Sequence, residues 1–320
     1  MVQTDYIETS GLTYSGTAAN DIFAKDVYSL DMRGYGITFI DGVKSRRKIY
    51  LGKLDEMFQA YTCPFTPDGQ VEISEAYIDP VAIKVNKEFC RNEFWDSFLV
   101  EQTSITLNGG IPQTFYDWYF GKMREELQKE YEEIFWKGDT AYSGSTKRYI
   151  KVTNGIEKIL ETASGVSKIS GAAFTVDNII AQVESNVSSG MAKAASEDLD
   201  PSKWKIFMNY ADVQLLRVAL GKVCCPNSTN QVFANYADNN GTIMIFGFPV
   251  QATMQSRNTI IFGDPRNLVL GFDTFDSHIQ YKIVNMLDTT LDDAYRVAVV
   301  SNIAVGVVWP ELFTYTRIPA

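Results

Sequence analysis

The sequence predicts an α+β fold: helical and strand patterns are both present, without the regular alternation that builds a parallel βαβ sheet. Two observations carry this expectation. A long amphipathic helix spans Pro112 to about Lys137, and after it short apolar runs of strand character are interleaved irregularly with two further helical stripes.

The long helix rests on spacing. Tyr116, Phe120, Met123, Leu127, Tyr131 and Ile134 step by 4, 3, 4, 4 and 3 residues, which keeps them on one face. Lys122/Glu126, Glu125/Lys129, Lys129/Glu133 and Glu133/Lys137 stand at i,i+4 and mark an exposed opposite face. Pro112 fits a first turn, and Gly138 is expected to end the helix in a left-handed conformation. At 1.5 Å per residue the helix is roughly 38 Å long, enough to reach past a small domain towards neighbouring subunits.

The segment before the helix has a different character. Residues 1–60 are rich in Gly, Ser, Thr and Asp, with short apolar patches such as Ile37–Phe39–Ile40 and no sustained period. They read as an extended arm, separable from the fold of residues 112–320, with a short helix near Lys53–Tyr61. Cys63 to Gly69 is a turn cluster. Val71–Ile73 and Val81–Val85 alternate like strands and are expected to pair as a hairpin across Ser74–Asp79, with Pro80 tolerated at an edge.

Beyond the helix, residues 140–172 are loop-rich, with a turn at Asn154-Gly155-Ile156. Thr175 is a good N-cap for a second helix whose stripe is Val176, Ile180, Val183, Val187 and Met191. Trp204–Met208 reads as a buried strand, and Asn209 caps a third helix through Val213, Leu216 and Leu220, ended by Gly221. Thr242–Phe246, Thr259–Phe262, Leu268–Leu270, Ile279–Val284 and Tyr295–Trp309 read as strands, the last one bent or bulged near Ser301-Asn302.

Composition narrows the function classes. The chain has 320 residues, 45% hydrophobic and 21% charged, which describes a soluble protein with a substantial core. A net charge of −10 argues against binding nucleic acid or anionic membrane through the whole surface. No apolar run approaches the ~18–20 residues of a membrane span. The start, MVQTDYIETSG, lacks the basic and apolar regions of a signal peptide, so the chain reads as cytoplasmic.

Catalytic and metal chemistry find little support. Cys63, Cys90, Cys224 and Cys225 fit no metal spacing and read as buried or partly buried thiols. The single histidine, His278, has Asp276 too close in sequence to orient it as in a Ser–His–Asp site. Arg33-Gly-Tyr-Gly36 lacks the strand and helix context of a nucleotide loop, and Asp288, Asp292 and Asp293 do not match a calcium loop. The expectation is therefore no catalytic residue, no cofactor and no metal.

Contact residues are easier to nominate. Lys44, Arg46, Arg47 and Lys48 form the one dense basic run, read as a solvated loop, as partners for an acidic neighbouring subunit, or as phosphate contacts. Aromatics crowd Phe89 to Phe98 and Phe115 to Phe120 on more than one face, which marks Trp95 and Trp118 as contact candidates. Glu125 and Lys129 represent the charged face of the long helix.

The order of these parts resembles the tailed-bacteriophage major capsid proteins of the Hong Kong 97 type. The helix ending in Glu133-Ile-Phe-Trp-Lys-Gly-Asp139 is similar to that family's spine helix and its exit. Phe246-Gly-Phe-Pro-Val250 resembles a recurring turn of its axial domain. Ile260-Ile-Phe-Gly-Asp264, Leu268-Val-Leu-Gly271 and the run from Tyr295 to Phe313 are similar to its return through the peripheral domain. The resemblance implies an N-terminal arm over 1–62, an extended β-hairpin loop over 63–103, and a peripheral domain over 104–173. An axial domain over 174–262 and a peripheral return over 263–320 would complete it.

It further implies a structural, non-enzymatic protein whose copies join into hexamers and pentamers of an icosahedral shell around double-stranded DNA. Location in the virion follows, with assembly in the host bacterial cytoplasm. Because Met1 leads directly into the arm, a separate scaffolding protein, or none, is expected; portal and decoration proteins are the other implied partners. Lys84 and Lys87 lie on the expected hairpin as interface candidates; no acceptor Asn or catalytic Glu for a lysine cross-link is identifiable, so that activity is not carried over. A cellular nanocompartment shell of the same fold is the alternative, and a soluble enzyme with an unrecognised carboxylate site is the alternative from another class.

Overall fold

The computed structural model describes residues 32, 34–54, 71–90, 99, 115–197, 199–223, 243–272, 282–286 and 294–318. The elements in chain order are β1 (Thr38–Asp41), β2 (Arg47–Leu54), β3 (Val71–Ile78), β4 (Val81–Cys90) and α1 (Phe115–Lys137). Then come α2 (Ile156–Thr162), β5 (Ser167–Ser170), α3 (Ile179–Ser196), β6 (Lys205–Asn209) and α4 (Tyr210–Val223). The chain closes with β7 (Ile243–Ile245), β8 (Phe248–Thr253), β9 (Ile260–Gly263), β10 (Leu268–Phe272), β11 (Lys282–Asn285), β12 (Ala294–Val307) and β13 (Thr314–Arg317). The α+β expectation holds.

A six-stranded sheet, ordered β5-β13-β9-β6-β8-β7, joins two cores. Ile206 and Met208 of β6, with Ile260 and Phe262 of β9, point to α3 and α4. The residues between them, Phe207 and Ile261, point to the core built around α1. A strand buried on both faces reads as one continuous apolar run, which is why Trp204–Met208 was legible as a strand. Gly190 lets α3 sit close to this sheet, since a β-carbon there would lie 2.5 Å from the Phe262 ring.

The second sheet is organised by β12. One edge of β12 pairs with β4 from Ala294↔Cys90 to Ile303↔Val81. Its other edge pairs with β11 over 295–298 and with β10 over 303–307. β1 adds in parallel to β10, from Thr38↔Val269 to Asp41↔Phe272. Leu127, Tyr131, Ile134, Phe135 and Trp136 of α1 are buried in the core beneath. The Trp136 ring lies 5.3 Å from Phe207, and Tyr131 meets Phe272 edge-on at 6.5 Å. Each large apolar side chain taken fully out of water here contributes roughly 1.5–3 kcal/mol.

Several local expectations are corrected. Val71–Ile73 does not pair with Val81–Val85: β3 pairs with β2 through eight residues, and β4 goes to β12 instead. The physical reason is that β2 offers eight matching positions to β3 and β12 offers ten to β4. The arm reading fails for residues 32–43, because Met32, Tyr35, Ile37 and Val43 are buried. The register of β4 with β12 runs unbroken through Ser301↔Ile83 and Asn302↔Ala82, so no bulge interrupts it.

The helices differ in detail. α3 begins at Ile179, although the Thr175 carbonyl already accepts from the Ile179 N–H at 3.1 Å. Met191 is exposed, and Gly190 and Ala194 take the buried positions of that turn. Asn209 caps α4 through its Oδ1, which accepts from the Ala211 N–H at 2.9 Å, but the helix passes Gly221 and ends at Val223. Gly138 ends α1 without positive φ; its role is close approach, discussed below. The expected helix at Lys53–Tyr61 falls mostly outside the described residues, with Lys53 and Leu54 in β2.

Candidate assembly surfaces

Strands β2 and β3 form a ribbon of their own, a two-stranded sheet separate from the other two. Eight residues at about 3.4 Å each give a projection of roughly 27 Å. Such a ribbon is marginal when isolated. Its base is anchored where Val43 and Ile78 pack on Val269 and Ala304, with Ile49 against them. Along it, Arg46 pairs with Asp79 at 3.0 Å, and its guanidinium lies 4.4 Å from the Tyr77 ring centre. Lys48 pairs with Glu75 at 2.9 Å, and the Tyr77 hydroxyl donates to the same carboxylate. Hydrogen bonds from Tyr77 and Lys48 hold the Glu75 carboxyl below its ordinary range, and the Glu75 carboxylate in turn raises Lys48. Arg46 and Lys48 are therefore matched within the subunit, and Arg47 donates to the Asp41 carbonyl at 3.4 Å.

A second surface lies between β4 and α1. A cavity of about 630 Å³ has an apolar floor of Ile83, Val85, Leu127, Tyr131 and Ile134, with Lys84, Lys87 and Glu130 also lining it. Burial raises the Glu130 carboxyl and the nearby Lys87 charge opposes that shift, while Glu126 and Glu133 add to it. Beside this cavity the Arg296–Glu88 pair closes across directly opposed positions of β12 and β4 at 2.7 Å. Glu125 and Lys129 are exposed on α1, and Lys129 pairs with Glu126 at 3.3 Å rather than with Glu125.

Of the five buried carboxylates among the described residues, Glu132, Glu133, Glu157 and Asp212 join separate elements, and nothing in the sequence signals their burial. Glu133, read as part of an exposed face, is 5% exposed. It accepts from Lys147 at 2.7 Å, from Lys137 at 3.2 Å and from Tyr149. Burial opposes its ionisation, but the hydrogen bonds from Lys147 and Tyr149 and the Lys137 charge outweigh it and hold the carboxyl at about 2. The other three converge on the turn between β8 and β9. Glu132 accepts from the Met254 N–H at 3.1 Å, Glu157 from the Ser256 N–H at 2.5 Å, and Asp212 from the Asn258 N–H at 2.7 Å. Arg257 covers Asp212 with a further bond at 2.9 Å. Alternate backbone donors of one turn are thus held by acids from three helices. Each of these carboxylates is occupied by donors of its own chain, an arrangement suited to joining elements. Among the described residues no group of three or more His, Cys, Asp or Glu is placed to hold a metal ion. Among them, too, no helix is long and apolar enough to cross a membrane.

No family model matches the sequence, and no curated protein does so. Solved structures match at the level of the fold. A chain of the satellite phage P4 procapsid, in a structure that includes the size-determination (Sid) protein, aligns with a TM-score of 0.63 at 11% identity, covering 97% of this chain and 93% of that one. The capsid of Myoviridae phage XM1 aligns with a TM-score of 0.57 at 11% identity, over 91% and 92% of the two chains. A chain of Gordonia phage Cozz aligns at 0.52 and 13%, over 91% and 87%. The fold is the Hong Kong 97-type capsid fold.

At these identities the shared capsid fold carries shape and leaves residue roles to this chain's own geometry. The structure brings Arg46 and Lys48 together on the β2–β3 ribbon. Lys84 and Lys87 lie on β4 beside α1, away from the hairpin on which the sequence had placed them. Trp118 belongs to α1, in the stretch whose side chains are not described, and Trp95 lies outside the described residues. His278, Asp288, Asp292, Asp293, Cys63, Cys224 and Cys225 also lie outside them; Cys90 is exposed at the end of β4, where a buried or partly buried thiol was expected.

Proposed function

We propose that this chain is the major capsid subunit of a tailed bacteriophage, its copies forming hexamers and pentamers of an icosahedral shell around double-stranded DNA. The observation that carries the reading is fold correspondence along nearly the whole length, 97% of this chain with 93% of a chain of the P4 procapsid. The geometry agrees with it. A ribbon whose two strands pair with each other, and with no further strand among the described residues, gains order by lying over a neighbour, which couples final folding to assembly. Head-to-tail contacts of that kind close into rings. A net charge of −10 suits an enclosure that must not trap its DNA.

In this reading the arm is the segment before residue 32, and the extended loop is the β2–β3 ribbon. The spine is α1, and the axial domain holds α3, α4 and β6 to β9. Lys84, Lys87, Glu125 and Lys129 face neighbours or the shell interior, and the exposed basic run of Lys44, Arg46, Arg47 and Lys48 meets an acidic neighbouring surface. Assembly takes place in the host cytoplasm, with a separate scaffolding protein or none, and portal and decoration proteins complete the virion. Sedimentation velocity of the purified chain, alone and with a scaffolding partner, tests this. Species of megadalton size are expected; a persistent monomer of 35.9 kDa under assembly conditions contradicts it.

A further inference from the structure

Phe246 and Gly247 turn β7 into β8, with Ile245 and Phe248 directly paired across the two-residue loop. Both loop residues have positive φ, 51° and 85°. A two-residue hairpin loop of this kind favours Asn-Gly, because the first position needs left-handed backbone. Glycine at the second position fits that rule. A bulky aromatic residue at the first is an outlier that costs the turn strain.

Among the described residues the ring joins no apolar cluster that would offset that cost. Phe246 is 49% exposed, while Ile245 and Phe248 on either side are 2% and 8% exposed. A β-carbon built on Gly247 meets nothing within 4 Å, so the tip stands in open space. The residue therefore serves neither the local conformation nor the core beneath it.

We infer that Phe246 is an anchor between copies, its ring packing against a second copy of this chain in the assembled shell. The inference rests on the capsid reading. Two features select a second copy as the partner. Among the described residues β7 is the last strand of the six-stranded sheet, so its hairpin tip projects from the sheet's margin, a place open to a neighbour in a head-to-tail ring. The run Ile243–Val250 carries no charged residue, so docking there buries no unpaired charge and offers nothing to a nucleic acid backbone. Aromatic side chains are the usual anchors of such contacts.

The test is Phe246→Asn in the full-length chain, with Phe246→Leu beside it. Asn suits left-handed backbone, so the unassembled F246N subunit is expected to melt at the same or a higher temperature than wild type. Its half-assembly concentration, followed by light scattering, is expected to rise about tenfold or more, with F246L intermediate. Assembly of F246N at the wild-type concentration overturns the inference, as does a lower melting temperature of the F246N subunit, which would make the ring part of its own fold. A wild-type chain that never assembles is a different result: it refutes the capsid reading and takes this contact with it.

Discussion

Glu132 of α1 accepts a hydrogen bond from the backbone N–H of Met254, 3.1 Å away, and so ties the long helix to the turn between β8 and β9. The same Oε1 accepts from the Tyr35 hydroxyl at 3.3 Å, which brings the N-terminal segment into the joint. Glu132→Ala leaves both donors buried without this acceptor and is expected to cost about 2–3 kcal/mol in urea unfolding. Glu132→Gln keeps an acceptor oxygen and is expected to cost less than about 1 kcal/mol. Equal losses from the two variants would show that the hydrogen bonds do not hold the joint.

Glu133 and Glu157 respond to pH in opposite senses. Glu133 falls from its ordinary 4.5 to about 2 in the folded chain. Its contribution is thus present above pH 4.5 and lost as pH falls from there towards 2, a loss of about 3 kcal/mol. Lys147→Met removes one of the donors responsible and is expected to move the acid unfolding midpoint to higher pH.

Glu157 is raised by burial, which the Ser256 hydrogen bonds and the charges of Arg317 and Lys137 only partly offset. A raised carboxyl stabilises the fold below its unfolded value and loses that contribution as pH rises through the folded one. Glu157→Gln keeps an acceptor for Ser256 and is expected to raise the melting temperature at pH 8, with little gain at pH 4. A lower melting temperature at pH 8 would mean that the ionised carboxylate is needed.

Gly155 donates its N–H to the Gly138 carbonyl at 2.8 Å where α1 meets the start of α2. A β-carbon on Gly138 would lie 2.3 Å from the Thr153 carbonyl oxygen and 2.6 Å from that of Ile134. Backbone cannot yield as a flexible side chain can, so Gly138→Ala is expected to cost about 2–3 kcal/mol. Gly42, at φ +71° with open space around its Cα, is the contrast. Gly42→Ala is expected to cost about 1 kcal/mol from conformation alone. Thermal unfolding of the two variants measures the order; reversal of it would place the constraint in the dihedral angles.

Truncation separates the arm from the fold. Removing residues 1–31 leaves every contact described above in place and is expected to preserve the circular dichroism spectrum and melting temperature. Removing residues 1–43 takes away β1 with the buried Met32, Tyr35, Ile37 and Val43, and exposes the edge of β10. That loss is roughly 1.5–3 kcal/mol for each large apolar side chain, so unfolding or precipitation is expected. A folded, soluble 44–320 chain would restore the reading of the whole segment as a detachable arm.

How much the sequence revealed depended on whether a signal was local. The 3.6-residue stripe of α1 and the continuous apolar runs of β6 and β9 are local, and they were found. The pairing of β4 with β12 joins Val81 to Ile303, and no local pattern encodes a contact of that separation. β2, with the sequence Arg-Lys-Ile-Tyr-Leu-Gly-Lys-Leu, was read as arm because its charges obscure the alternation of a ribbon that has no core of its own. Glu133 was read as solvated because charge on a helix usually is, and nothing in the sequence singled out Glu132 beside it. Two adjacent acids point about 100° apart, and since residues 131–136 of α1 are all buried, both faces are covered. What buries them is the β8–β9 turn and Lys147, which only the folded chain brings near.

Electron cryo-microscopy of particles purified after co-expression with the scaffolding partner tests the central claim most directly. The account predicts closed icosahedral shells built from hexamers and pentamers, with each β2–β3 ribbon lying across an adjacent subunit. A uniform population of 35.9 kDa monomers with the ribbon folded back on its own subunit would contradict it.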